Sequence, residues 1–112
     1  MNIESRTEGS VLIVRPLSKR VDASVAREFR EKLEGLIAEG TDRVVLDMEE
    51  VEFIDSSGLG AIVSVFRRMN DGQHIAITRP KKTVLSLLKL TRMDKVFQIF
   101  AEVEEAVTAV TT

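Results

Sequence analysis

Residues 44 to 60 read V-V-L-D-M-E-E-V-E-F-I-D-S-S-G-L-G. With Arg43, the first residues form R-V-V-L-D, a continuous apolar run of the kind a strand shows when both of its faces are buried. An acidic stretch follows, and then F-I-D-S-S-G-L-G, where an aspartate, two serines and two glycines stand between apolar segments. From about 57 to 70, Leu59, Ile62, Val63, Phe66 and Met69 recur at helical spacing, and Asn70-Asp71-Gly72 supplies a stop. The passage is therefore a buried strand, a loop and a helix, with Asp55, Ser56 and Ser57 at the helix mouth.

The pattern extends in both directions. Upstream, V-L-I-V-R at 11–15 predicts a strand ended by Pro16, with a weaker edge strand around Ile3 turned back at Glu8-Gly9. Val25, Phe29, Leu33, Leu36 and Ile37 predict a helix capped by Asp22 or Ser24 and ended by Gly40. Downstream, H-I-A-I-T at 74–78 predicts a strand broken by Arg79-Pro80. Val84, Leu85, Leu87 and Leu88 face inward from a third helix, V-F-Q-I-F at 96–100 predicts a last strand, and Glu102 to Val110 a closing amphipathic helix. Such alternation implies an α/β fold: a mixed, mostly parallel sheet of four to five strands packed with about four helices. In open sheets of this kind, function tends to lie at the carboxyl ends of the strands, where Asp55, Ser56 and Ser57 are expected.

Composition bounds the rest. At 112 residues, the chain 1–112 reads as a single domain with one core. It has no cysteine, which excludes disulfides, thiolate catalysis and cysteine-ligated zinc. The M-N-I-E-S-R-T-E-G-S start predicts no secretory leader, no segment reaches the ~20 apolar residues of a membrane span, and a cytoplasmic protein is expected. A net charge of -2, with five Phe and no Tyr or Trp, offers no platform for nucleic acid. Locally the charge is uneven. Residues 42–55 carry six acids against Arg43, whereas residues 67–95 carry eight bases against Asp71 and Asp94. Both stretches read as solvated faces, or together as a bipolar surface that orients a protein partner.

The chemistry of D-S-S-G-L-G narrows by comparison. Ser56 or Ser57 suits a helix N-cap. Two glycines in the first turn cost up to ~1 kcal/mol each against alanine, so something must approach closely: another element, or another molecule. A nucleophile elbow needs glycine where Ile54 stands, and a phosphate-cradling loop needs a lysine that is missing. The single histidine, His74, has no nucleophile paired with it in sequence, and the acidic run lacks calcium-loop spacing. No catalytic residue, metal site or cofactor is expected. What remains is a serine as substrate. A phosphate at a helix N-terminus is stabilised by the helix dipole, yet adds about -1.5 to -2 charge to the surface.

These residues resemble the STAS domains, most closely the stand-alone bacterial anti-sigma factor antagonists, through V-V-L-D-M-E-E-V-E-F-I-D-S-S-G-L-G and through Asp22 before the first helix. The resemblance implies a non-enzymatic partner switch. The unmodified protein binds an anti-sigma factor that is also a serine kinase of the histidine-kinase ATPase type. Phosphorylation releases it, and a PP2C-type phosphatase resets it. The acceptor maps to Ser56. Asp22, Asp55, Ser57, Gly58 and Leu59 map to partner binding, and a monomer is expected. The chain departs from the family's usual pattern at Lys19-Arg20-Val21 and at Arg92-Met93, both more basic than usual and both flanking the expected docking surface. The rival readings are a STAS subunit of a membrane transport or lipid-transport complex, and a scaffold unit of a signalling assembly.

Overall fold

The computed structural model describes residues 1–37, 41–69 and 74–112. The stops expected at Gly40 and at Asn70-Asp71-Gly72 lie outside the described residues. The main sheet has five strands: β1 (Ile3–Glu8), β2 (Val11–Pro16), β4 (Val44–Asp47), β6 (Ile75–Thr78) and β7 (Gln98–Phe100), adjacent in that order. β1 and β2 form an antiparallel hairpin whose two-residue loop starts at Gly9, φ +60°. That left-handed backbone is open to glycine at little cost. All other neighbours in the sheet are parallel. The expected mixed, mostly parallel sheet with four helices is the architecture found.

Four helices cover the sheet: α1 (Ala26–Leu36), α2 (Ser56–Phe66), α3 (Lys82–Leu90) and α4 (Val103–Thr111). Strand alternation sorts the core into two layers. Val44 and Leu46 of β4, with Val14, Ile75 and Ile77, pack under Phe29 and Leu33 of α1, Ile62 and Phe66 of α2, and Val84 and Leu88 of α3. Val11, Ile13, Val45 and Ala76 face the other way, onto Val103, Ala106 and Val110 of α4. Each buried large aliphatic or aromatic side chain contributes about 1.5–3 kcal/mol, so the three-helix face carries most of the stabilisation.

Several expectations need correction. A second, two-stranded parallel ribbon, β3 (Arg20–Val21) with β5 (Phe53–Ile54), stands apart from the main sheet. Ser56 therefore follows a ribbon strand and not a strand of the main sheet. The run 96–100 is strand only over Gln98–Phe100. Met93–Lys95 is a turn of 3-10 helix, and buried Phe97 meets Phe66 edge-to-face at 5.9 Å. Helix α2 buries Ala61 and Val65 as well as Leu59, Ile62 and Phe66, while Val63 is half-buried, because α1 and the sheet enclose more of it than one stripe.

One feature of the sheet's carboxyl edge bears on the acidic loop. Asp47 is buried and held by Arg79, Nε to Oδ1 at 3.1 Å and an Nη to Oδ2 at 2.6 Å. The Glu49 N–H also donates to Asp47, and Glu49 pairs with both Arg79 (2.9 Å) and Arg15 (3.0 Å). The acidic residues expected to be a solvated face are thus partly consumed in fixing the loop that leads to β5.

Candidate functional site

Asp55 organises the mouth of α2. As N-cap, its Oδ1 accepts from the Gly58 N–H at 3.0 Å. Its Oδ2 accepts from the Ala23 N–H, also at 3.0 Å, across 32 residues of chain. One carboxylate thereby satisfies an otherwise unpaired donor of the helix and ties the segment before α1 to the start of α2. Neither serine is the cap, contrary to the sequence expectation. With three possible acceptors in a row, the one that also reaches Ala23 takes the role. Ser56 and Ser57 consequently begin the helix, and both side chains are exposed.

Asp22 does not cap α1 either, and Ser24 does not. Helix α1 starts at Ala26 with Val25 as an N-cap that makes no side-chain bond. Asp22 instead closes a local turn, its Oδ1 accepting from Ser24 N–H (3.1 Å) and Ser24 Oγ–H (2.6 Å). Those Ser24 bonds, with Arg20 adding a smaller effect, hold the Asp22 carboxyl below the ordinary aspartate range. Asp22 stays ionised and half-exposed on the segment that Asp55 binds through Ala23.

The two glycines play different parts. A Cβ on Gly58 would collide with the Val21 carbonyl oxygen and stand 2.9 Å from Ile54 Cγ1 and 3.0 Å from Val21 Cγ1. Gly58 is buried because the ribbon lies directly on it, so it shapes the site from beneath. Gly60 is exposed, and a Cβ there would meet nothing within 4 Å. The fold does not require glycine at 60. Leu59 is 6% exposed, and its remaining surface lines a groove with Ser56.

Two grooves flank the exposed ridge of α2. One, toward α1, is lined by Ala23, Arg27, Arg30, Ser57, Gly60 and Ser64. The other, toward the end of α3, is lined by Ser56, Leu59, Gly60, Val63, Arg67 and Met93 among others. The sequence had drawn attention to Gly60 together with Gly58, but to neither Ser64 nor Arg67 as site residues. The signal was present: Ser56, Gly60 and Ser64 recur every four residues, one helical face kept free of bulk. Beside this ridge Phe53 is 37% exposed, with the Arg20 guanidinium 4.4 Å from its ring centre and 3.5 Å from Asp22. Among the described residues no cluster of His, Asp and Glu could hold a metal ion, and no helix is long and apolar enough to cross a membrane.

The geometry offers an exposed hydroxyl at a helix N-terminus, Asp55 immediately before it, Asp22 on the segment that Asp55 ties to the helix through Ala23, and a smooth ridge beyond. The family model of the STAS domain matches residues 2–106. An anti-sigma F factor antagonist of Paenibacillus polymyxa is 29% identical over 110 residues, covering 96% of this chain and 93% of that protein. The structure of an anti-sigma-factor antagonist (STAS) domain protein from Planctomyces limnophilus superposes with a TM-score of 0.88 at 20% identity, covering 98% of each chain. The phosphorylated form of the Bacillus cell fate determinant SpoIIAA superposes with a TM-score of 0.70 at 19% identity, covering 97% of this chain and 99% of that one.

Proposed function

Because the chain belongs to the STAS domain family, we propose that it is an anti-sigma factor antagonist that changes partners according to the state of Ser56. The observation that carries this reading is the exposed Ser56 hydroxyl at the first position of α2, held open by the Asp55 cap. The name of the Paenibacillus polymyxa relative and the phosphorylated form of the Bacillus structure support it. The chain acts as one STAS unit over 1–112, as a cytoplasmic monomer, without a cofactor and without catalytic residues of its own.

In the unmodified state the α2 ridge, with Asp22, Ser57 and Leu59 around it, docks an anti-sigma factor that is also a serine kinase of the histidine-kinase ATPase type. The kinase moves the γ-phosphoryl group of ATP to Ser56 Oγ, the hydroxyl proton leaves, and ADP remains. The helix N-terminus accommodates the new charge, since dipole and first-turn N–H groups favour an anion. A partner surface pressed against the ridge does not: it meets about -1.5 to -2 extra charge beside Asp55 and Asp22. The complex separates while the scaffold stays folded, and a PP2C-type phosphatase hydrolyses the ester to restart the cycle.

Ser56→Asp is expected to weaken kinase binding roughly tenfold or more, about 1.4 kcal/mol. Ser56→Ala is expected to keep binding and to accept no phosphate. Isothermal titration with the kinase reads both. Equal affinity of Ser56→Asp and the unsubstituted protein would remove the electrostatic switch.

A further inference from the structure

Two grooves run along the α3 side of α2, and they share Val63, Arg67 and Met93. The first contains Ser56; the second continues past Phe66 to Val96. Together they form one trough from the mouth of α2 to its end, 11 residues or roughly 16 Å of helix at about 1.5 Å per residue. Its outer wall is the chain between α3 and β7. Val96 (57% exposed) stands on that wall, and Leu90 (82%), the last residue of α3, immediately precedes it; they are the two most exposed large apolar side chains among the described residues.

The charges around the trough are unevenly spent. On the α1 side of α2, Arg27 pairs with Glu31 and Arg30 with Glu34, and Arg68 adds a second pair to Glu34. On the ribbon, Arg20 is engaged by Asp22 and Lys19 lies 4.0 Å from Glu52. By contrast Arg67, which lines both grooves, and Lys89, Arg92 and Lys95, in and beside the stretch that supplies Thr91, Met93 and Val96 to them, have no ion pair among the described residues, and Asp94 is the one acid from 89 to 95. The basic departure at Lys19-Arg20 is largely consumed within the chain, whereas the one around Arg92 is available to another molecule.

An apolar trough with unspent cations along its rim fits one kind of occupant. We propose that it docks an amphipathic segment of the Ser56 kinase whose apolar face is bordered by Asp or Glu side chains. This rests on the reading of Ser56 as the phosphate acceptor, since continuity with Ser56 is what assigns the trough to that partner. The apolar wall supplies affinity and the rim supplies orientation and encounter rate. The acidic border also makes the kinase selective: a homologous antagonist lacking these cations leaves its carboxylates unpaired.

The test uses the kinase purified by following phosphate incorporation into Ser56, with the full chain as acceptor. For Arg67→Glu/Lys95→Glu, kcat/KM is expected to fall about tenfold at low salt while kcat changes less than about twofold, with the gap narrowing as salt rises. Leu90→Ser/Val96→Ser is expected to raise KM by a similar factor without that salt dependence. Arg6→Glu, on the exposed edge strand β1 and away from α2, is the control and is expected to leave kcat/KM within about twofold. The unfolding temperature of each variant, taken alongside, separates docking from folding. Labelling of Ser56 that is unaffected by the trough substitutions, or lowered equally by Arg6→Glu, would overturn the trough and leave the acceptor standing. No labelling of Ser56 even in the unsubstituted protein would overturn the functional reading and this one with it.

Discussion

A methyl group added at Gly58 has nowhere to go: the Val21 carbonyl and the Ile54 side chain already occupy its place. Gly58→Ala is therefore expected to cost about 3 kcal/mol or more, since the obstacle is backbone and must shift as a unit. Gly60→Ala is expected to do the opposite and stabilise by roughly 0.5–1 kcal/mol, because a Cβ there enters open space and helix propensity improves. Urea unfolding reads both. A destabilising Gly60→Ala would mean that α2 needs glycine at 60 for its own sake, and that this position is not reserved for a partner. Asp22 gives a residue-level prediction in pH. Its folded-state carboxyl titrates below the ordinary value of 3.8, so its stabilisation is complete above about that pH and fades as pH falls through the lower folded value. Asp22→Asn should lower the unfolding temperature at neutral pH, where that stabilisation is present, and flatten its further loss below about pH 4. Parallel curves for the two proteins would assign the acid sensitivity elsewhere. That both serines stand at the mouth of α2 was legible from D-S-S-G-L-G; the choice of Ser56 between them came from the family resemblance. The cap was not legible: Asp55, Ser56 and Ser57 are equally good acceptors locally, and the choice rests on Ala23, distant in sequence.

At the scale of elements, two arginines occupy left-handed backbone, a conformation that costs a side-chain-bearing residue about 1–2 kcal/mol. Arg92, φ +62°, follows the end of α3 where glycine commonly closes a helix. Arg79, φ +52°, follows β6 but holds the buried Asp47 with two hydrogen bonds. Arg92→Gly is expected to be neutral or stabilising by up to about 1 kcal/mol, relief of strain being partly offset by a looser unfolded chain. Arg79→Gly is expected to destabilise by about 3 kcal/mol, because buried Asp47 loses both hydrogen bonds from Arg79 and keeps only the more distant Arg15, Nε at 3.8 Å, as a cation. If calorimetry gave the two substitutions the same sign and size, the ion network at the carboxyl edge would not be fixing the acidic loop. Strands β2 and β4 could be read from their apolar runs, and helices α1 and α2 from their periodicity. The β3–β5 ribbon could not, since two-residue strands carry no pattern and exist here because Lys19 and Val21 carbonyls accept from Glu52, Phe53 and Asp55. The last strand was overextended because V-F-Q-I-F is apolar but for Gln98 and reads as one run, while Phe97 is withdrawn to pack on Phe66.

For the molecule as a whole, the layers explain how a surface event can stay on the surface. Ser56 stands on an α2 whose inner face, Leu59, Ile62 and Phe66, is sealed in the three-helix core, and Asp55 fixes its mouth to the segment before α1. On the proposed switch, phosphorylation of Ser56 is expected to add charge without displacing any of these groups. Amide spectra of the phosphorylated protein are expected to change around 22–24 and 55–60 and to leave the strands of the main sheet as they were. Changes spread through β4 and β6 would point to a conformational switch in place of an electrostatic one. The most direct trial of the account is to incubate the protein and its Ser56→Ala variant with ATP and the kinase, then locate the phosphate by peptide mass spectrometry. The account predicts one phosphate, on Ser56, in the first protein and none in the second. Phosphate retained by Ser56→Ala, or carried by another residue in the unsubstituted chain, would contradict it.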